Sequence, residues 1–259
     1  MKSYQAVVLL NRQVSKRYWH MIIDTTKLNS PVDPGQFFHI RCSDNQSPFL
    51  RRPLSVYKVN DNTIEFLYLV KGLGTKEMSF IEENETIDIM GPLGEGFHLE
   101  STARTILLVA RGVGVATLAA LAQAAYFQGT HCVVILSART NEDLLAADFL
   151  KGFGADVYSV TEEEGTSAVE NVKGLIVNEI FEKFKIDNIY TCGSKRLSRL
   201  AQEVAETYDI PGEIALEEHM GCAMGACFAC VSDIKEEGIV KSVRVCIEGP
   251  VFPLRKVLL

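Results

Sequence analysis

Four cysteines near the C-terminal end constrain this chain more than any other feature. Cys222, Cys227, Cys230 and Cys246 follow the spacing C-x4-C-x2-C-x15-C. Plant-type [2Fe–2S] loops use this spacing to hold two irons bridged by two sulfides. Three thiolates come from one loop and the fourth from a more distant segment. Gly221 and Gly225 suit such a loop, because glycine lets the backbone approach the sulfurs and aim N–H groups at them. Zinc is the alternative metal, but zinc sites usually pair their cysteines as C-x2-C, and here one pair is stretched to x4. The chain has seven cysteines. An odd number with four clustered at one end argues for metal over a disulfide framework. Cys42 and Cys132 each stand alone in a strand-like run and are expected to be small core residues. The tail from Pro211 onward is rich in Cys and Gly and too short for a core of its own, so a metal centre would supply its stability.

The rest of the 259 residues divide by pattern. Short β-branched and aromatic runs fill the first hundred positions: Tyr4–Leu10, His20–Asp24, Phe37–Arg41, Ser55–Val59 and Thr63–Val70. Turn chemistry separates them, which predicts a small antiparallel barrel or sandwich. Gly91–Gly96 reads as a glycine-rich break and a domain edge. Strands then alternate with helices: Thr105–Ala110, a helix to about Gln128, Cys132–Ser137, a helix over Glu142–Phe149, Asp156–Thr161, a helix over Val169–Phe184, Asn188–Thr191 and a helix over Lys195–Tyr208. That alternation predicts a parallel sheet with helical crossovers. The expected fold is β + α/β in three units: an antiparallel β-barrel at 1–99, a parallel-sheet α/β domain at 100–212 and a small cluster domain at 213–259.

Charge and hydropathy narrow the setting. The formal net charge is −7, so the chain offers no basic footprint for nucleic acid. No apolar run reaches the ~18 residues that span a bilayer. The apolar stretch near the N-terminus breaks at Asn11, Arg12 and Gln13, unlike a secretory signal. A cytoplasmic location without membrane attachment is expected.

Two further constellations bear on cofactors. In Arg51-Arg-Pro-Leu-Ser-Val56, one or two arginines can neutralise a pyrophosphate, and Ser55 offers a hydroxyl to a flavin edge. Downstream, Leu67-Tyr-Leu69 ends a strand and Lys71-Gly-Leu-Gly-Thr75 follows, where a helix start could face a phosphate. Alone, RRPLSV could equally be a solvated basic turn and GLGT a plain helix start.

The order of parts is more telling than any one of them. R-P-L-S is followed by G-x-G-T, G-P-L-G-x-G-F, an α/β region ending in C-G-x-K, and the cysteine loop. This order resembles the ferredoxin-reductase superfamily. Over nearly the whole chain it is most similar to the electron-transfer subunits of type B dihydroorotate dehydrogenases. LEEHMGCAMGACFACV and VCIEGPVF, within Leu216–Phe252, carry the likeness most specifically. The resemblance implies FAD held by Arg52, Pro53, Leu54 and Ser55, by Leu67, Tyr68 and Leu69, and by Gly74 and Thr75. It implies a separate FMN-containing catalytic subunit that oxidises dihydroorotate to orotate in pyrimidine biosynthesis, in a heterotetramer of two of each chain. Electrons would then pass from FMN through the [2Fe–2S] cluster and FAD to NAD. A protein interface is expected near Cys222–Cys230, with Glu217 and Glu218 in it.

The sequence departs from the family at the nucleotide site. Where G-G-G-x-G is usual after the first α/β strand, this chain has Ala110-Arg111-Gly112-Val113-Gly114. Gly112 and Gly114 remain candidates for NAD. Arg111 could block the nucleotide or pair with a phosphate. Cys192-Gly193 matches the family's C-G-P segment with Ser194 in place of proline. Cys192 would lie near nicotinamide and flavin, or else be a buried strand-end thiol. Two other readings remain open: a related reductase subunit with an NAD(P)H, ferredoxin, sulfur or hydrogenase partner, and a non-enzymatic metal-stabilised binding protein.

Overall fold

A computed structural model describes residues 3–43 and 47–259. The N-terminal unit is a seven-stranded antiparallel sheet. Its strands are β1 (Ser3–Gln13), β2 (Tyr18–Asp24), β3 (Phe37–Ile40), β4 (Arg52–Ser55), β5 (Lys58–Asn60), β6 (Thr63–Leu69) and β7 (Thr86–Leu93), with α1 (Leu73–Met78) between the last two. The order is β4-β3-β7-β1-β2-β6-β5. The two edge strands are consecutive in the chain, so the sheet curls until its edges meet. Val56 N–H donates to Gln36 O on one side (3.1 Å) and Tyr57 N–H to Glu65 O on the other (2.8 Å). The expected strand Ser55–Val59 is therefore two short strands with this closure between them. Inward residues Val8, Met21, Phe38, Ile64, Phe66 and Ile89 form the barrel core.

β7 extends through Gly91, Pro92 and Leu93, where the sequence suggests a break. Gly91 belongs in the strand because a Cβ there would lie 2.3 Å from the Phe38 ring. The turn comes three residues later, at Gly94, with φ +75°.

The second unit is a six-stranded sheet of β8 (Thr105–Arg111), β9 (His131–Ala138), β10 (Asp156–Thr161), β11 (Asn188–Cys192), β12 (Gly212–Ala215) and β15 (Val251–Pro253), in the order β10-β9-β8-β11-β12-β15. All pairings are parallel except that of β15 with β12. Helix α2 (Val115–Gln128) covers one face with α3 (Ala147–Gly152). The other face carries α4 (Val169–Leu175), α5 (Phe181–Lys183) and α6 (Lys195–Thr207). In α6, Leu197, Leu200, Ala201, Val204 and Ala205 are buried, the 3- and 4-residue spacing of a helix packed by one stripe. The helix expected over Glu142–Phe149 is interrupted: a turn at Asn141–Asp143 gives way to Ala146 at φ +64°, and α3 starts only at Ala147.

The order of the sheet reverses between β8 and β11, which creates a crevice at the carboxyl ends of these two strands. Open α/β sheets bind ligands at such a switch point. The barrel abuts the same region. Gln123 of α2 accepts from Val59 N–H (3.0 Å) and donates to Val59 O (2.8 Å), which pairs the free edge of β5 with the helix.

The C-terminal segment is stitched into this frame. β12 and β15 belong to the central sheet, and the sequence division at 212/213 falls inside β12. Between them lie the cysteine loop, the hairpin β13 (Val231–Glu236) and β14 (Ile239–Arg244), and α7 (Val245–Glu248). Ala223, Cys230, Val245 and Cys246 share one buried cluster with Ile189, Leu200 and Ile214 of the α/β unit.

A cysteine loop and a cleft between barrel and sheet

The cysteine loop is shaped by alternating backbone handedness. Ala223, Gly225 and Phe228 have φ of +53°, +77° and +55°. Left-handed residues between right-handed ones turn successive N–H groups to one side, a nest for anions. Met224 and Cys227 N–H groups donate to Cys222 Sγ, both at 3.4 Å. Burial alone would raise the Cys222 thiol, but the N–H groups of Met224, Cys227 and Ala226 and the Cys227 side chain bring it down to about 6. Cys246 behaves oppositely: burial and the neighbouring Cys230 thiol push it up to about 12. Two adjacent buried thiols ionise together only when cationic metal compensates them.

The donors fit a two-iron cluster. All four are thiols, two half-exposed or exposed (Cys222, Cys227) and two buried (Cys230, Cys246). Val245 N–H donates to Cys230 O (2.9 Å), tying the third ligand to the segment of the fourth. At Gly221 a Cβ would lie 3.3 Å from Cys227 Sγ. Among the described residues no three His, Cys, Asp or Glu side chains gather around one point. Sequence reasoning missed Arg244. Its guanidinium pairs with Glu248 (2.7 Å), donates to Gly225 O (3.1 Å) and lies 5.3 Å from the Phe228 ring centroid, clamping the loop to α7. Its one sequence signal is the Arg–Glu pair four residues apart around Cys246.

The structure separates the two arginines of RRPLSV. Arg51 pairs with Asp88 (3.0 Å) and donates to Asp88 O (2.9 Å), so it braces β4 against β7. Arg52 has no carboxylate partner among the described residues. It donates to Leu50 O (2.7 Å) and crosses over the start of α1, where a Cβ on Gly74 would fall 2.8 Å from its Cζ. Thr75 Oγ1 accepts from Lys71 and Gly72 N–H (3.0 and 3.3 Å). R-P-L-S and G-x-G-T, some twenty residues apart, thus meet in space, and an arginine with spare donors above a glycine fits a pyrophosphate.

Pro53 and Ser55 are half-buried on β4, while Leu54 is in the barrel core. Leu67 and Leu69 face the α/β unit. Tyr68 points into the barrel and donates to Asn11 Oδ1 (2.8 Å), so only its backbone is open to a ligand in the cleft.

At the switch point, Gly114 and Gly193 allow β8 and β11 to close on each other. A Cβ on Gly114 would lie 2.6 Å from Cys192 O, and one on Gly193 2.5 Å from Arg111 O. Gly112 has φ +56°, and a Cβ there would sit 3.2 Å from Tyr18 Oη of the barrel. No side chain caps α2 at its N-terminus. This glycine cradle before an uncapped helix fits a dinucleotide phosphate. Arg111 does not project over the cradle. It reaches sideways along the strand ends, donating to Ser137 Oγ (2.6 Å) and to Glu162 Oε1.

Cys192 is buried beside this cradle, and its thiol donates to Glu217 Oε1 (3.9 Å). Burial raises both groups; the Glu217 carboxylate raises the thiol further, while the bond from the thiol draws Glu217 back down. Glu217 is surrounded by protein yet open to solvent, as a group on the floor of a deep cleft is. Lys71 of the barrel acts on it across that cleft. Glu217 thus stands between the Cys192 thiol and Lys71 of the barrel while remaining exposed to solvent. The apolar side chains exposed at the loop are Met224, Phe228 and Ile247.

Comparison with known proteins agrees with this arrangement. Residues 217–258 match the family described as the iron-sulfur cluster binding domain of dihydroorotate dehydrogenase B. The chain is 34% identical to a dihydroorotate dehydrogenase B (NAD(+)) electron transfer subunit of Bacillus cereus, covering 100% of both chains. A subunit of the same name from Bacillus anthracis is 33% identical over the same span. Among solved structures, an NADH-dependent reduced ferredoxin-NADP oxidoreductase superposes with a TM-score of 0.81 at 25% identity, covering 97% of this chain and 89% of that one. Ferredoxin-NADP+ reductase of Plasmodium falciparum shares the fold, with a TM-score of 0.64 at 13% identity, covering 80% and 92%. With full-length identity above 30%, the chain belongs to the family of dihydroorotate dehydrogenase B electron transfer subunits.

Proposed function

We propose that this chain connects a separate FMN-containing subunit, which oxidises dihydroorotate to orotate, with NAD, through FAD and a [2Fe–2S] cluster of its own. One observation carries the reading: the cysteine loop springs from β12 of the sheet whose neighbouring strand ends in Cys192, and Glu217 of that loop reaches the Cys192 thiol. Cluster loop and dinucleotide cradle are thereby parts of one rigid frame. Bound flavin and cluster supply the exchange between two-electron and one-electron transfer.

The chain's own residues have these roles. Cys222, Cys227, Cys230 and Cys246 hold the cluster, with Arg244 fixing the loop. Arg52 neutralises the FAD pyrophosphate over Gly74 and Thr75. Pro53, Leu54 and Ser55 on β4, and the backbone of Leu67, Tyr68 and Leu69 on β6, form the barrel wall of the flavin cleft. Gly112 and Gly114 admit the NAD phosphates to the start of α2. Cys192 would line the cleft floor beside a bound nicotinamide, and Glu217, which accepts from its thiol, would keep it protonated. The units expected at 1–99, 100–212 and 213–259 bear the three tasks, with β12 and β15 of the last built into the sheet of the second. The complex contains two of each subunit and works in the cytoplasm. Among the described residues, no helix is long and apolar enough to cross a membrane.

The test is an anaerobic absorbance titration of the purified chain with NADH, with flavin and iron assayed on the same sample. Flavin and cluster bands that bleach support the reading. Bands that bleach with dithionite alone favour a related reductase with another nucleotide or ferredoxin partner, a reading to which the altered Arg111 turn also points. A colourless, zinc-containing protein would refute both.

A further inference from the structure

Arg111 stands at the entrance to the glycine cradle, and its surroundings give it a task. The residue ends β8, the strand before the dinucleotide cradle, and lies next to Gly112. Its guanidinium is largely buried (16% exposed) and anchored on Ser137 Oγ at 2.6 Å, itself a buried group at the end of β9. Glu162, at the end of β10, accepts from the other terminal nitrogen and is 49% exposed. The two partners differ in freedom. Ser137 is fixed in a strand, while Glu162 lies in a turn with open solvent beside it. Its neighbours are engaged elsewhere: Asn141 donates to Glu163 through its N–H (3.4 Å) and to Glu164 through Nδ2 (2.8 Å). Arginine has five N–H donors in a fixed fork, and the bonds to Ser137 and Glu162 use only two. A partly buried guanidinium with spare donors, next to an uncapped helix N-terminus at a switch point, is built to receive a phosphate.

We propose that Arg111 is this chain's own anchor for the pyrophosphate of a nicotinamide dinucleotide, held by Glu162 until the nucleotide displaces that carboxylate. This rests on reading the α/β unit as a dinucleotide site. The guanidinium is drawn toward β9 and β10 and so flanks Gly112, whose open side faces Tyr18 Oη of the barrel. Glu162 is thus a competitor for the same donors, and losing its charge strengthens binding.

The experiment uses the purified full chain with its flavin and cluster, and ADP-ribose as the probe, which carries the pyrophosphate without nicotinamide. Calorimetric affinities are compared for the natural chain, Arg111→Gly, Arg111→Lys and Glu162→Gln, with melting temperatures as the control for folding. Loss of a charge-assisted bond predicts weakening of about tenfold or more for Arg111→Gly. Arg111→Lys recovers part of the loss, and Glu162→Gln binds several-fold tighter than the natural chain. Equal or tighter binding by Arg111→Gly overturns the proposal and makes the arginine an obstruction. Unchanged affinity in Glu162→Gln refutes the exchange. If no protein binds ADP-ribose, the anchor and the dinucleotide reading both fall, while the flavin and cluster bands still report on the electron-transfer reading.

Discussion

Exchanging Arg51, just before β4, and Arg52, its first residue, for alanine, one at a time, separates a structural from a cofactor role. Arg52 spends Nη1 on the carbonyls of Leu50 and Arg51, and its Nε and Nη2 have no acceptor among the described residues. A hydrogen bond to a charged group contributes roughly 1.5–3 kcal/mol. Losing one such bond to a flavin phosphate weakens FAD binding by about 10- to 150-fold. Arg52→Ala should leave the melting temperature of the flavin-free protein nearly unchanged, because no ion pair is broken. Arg51 is the converse. Its side chain is 25% exposed and its partner Asp88 19%, and it also serves the carbonyls of Asp88 and His39. Arg51→Ala should cost about 2 kcal/mol, or roughly 4–8 °C in a chain of this size, with little effect on FAD affinity once folded. The assay is FAD titration by flavin fluorescence alongside thermal unfolding of both variants. Flavin lost from Arg51→Ala but kept by Arg52→Ala would refute the assignment of the phosphate to Arg52.

The remaining predictions concern the thiols and one histidine. Cys246→Ser should abolish the cluster absorbance and lower iron to background, whereas Cys132→Ala, deep in the α/β core, should keep full iron and lose only stability; equal iron in both would remove Cys246 from the ligand set. His39 is 1% exposed, neither ring nitrogen has a hydrogen-bond partner among the described residues, and burial lowers its pKa to about 4. Below pH ~6.5 the unfolded chain takes up a proton there that the native chain refuses until pH ~4. Stability should therefore fall as pH drops through this window, by up to about 3 kcal/mol, and His39→Phe should flatten that slope in urea titrations; an unchanged slope would place the proton uptake elsewhere.

Much of this was legible because the strands and the cysteine loop carry local signatures. The apolar runs TILLVA and CVVILS are β8 and β9 within a residue or two, and the cysteine spacing marks the loop whose alternating backbone collects N–H groups on Cys222. What failed to show was tertiary. Thr86–Leu93 hides as a strand because Gly91 and Pro92 look like a break, yet the Phe38 ring leaves no room for a side chain at 91. Glu217 reads as a loop surface charge, and only the parallel pairing of β11 with β12 aims it at Cys192. Sequence alone does not rank Arg51 and Arg52; the strand partner Asp88 does. The fate of Arg111 depends on Ser137 and Glu162, 26 and 51 residues away.

The pairing of β12 with β15 has a consequence for how the metal centre forms. Leu216 N–H donates to Pro250 O (2.9 Å), so the ladder closes at the very base of the cysteine segment. The 35 residues from 216 to 250 are a loop with both ends already joined. Joining the ends of a flexible segment that long costs about 3 kcal/mol of chain entropy beyond a constant, and here the sheet supplies it. Cys222, Cys227, Cys230 and Cys246 all lie between these joined ends, so iron and sulfide meet a tethered loop rather than a free tail. An apoprotein of this kind should keep its barrel and sheet, and reload in place.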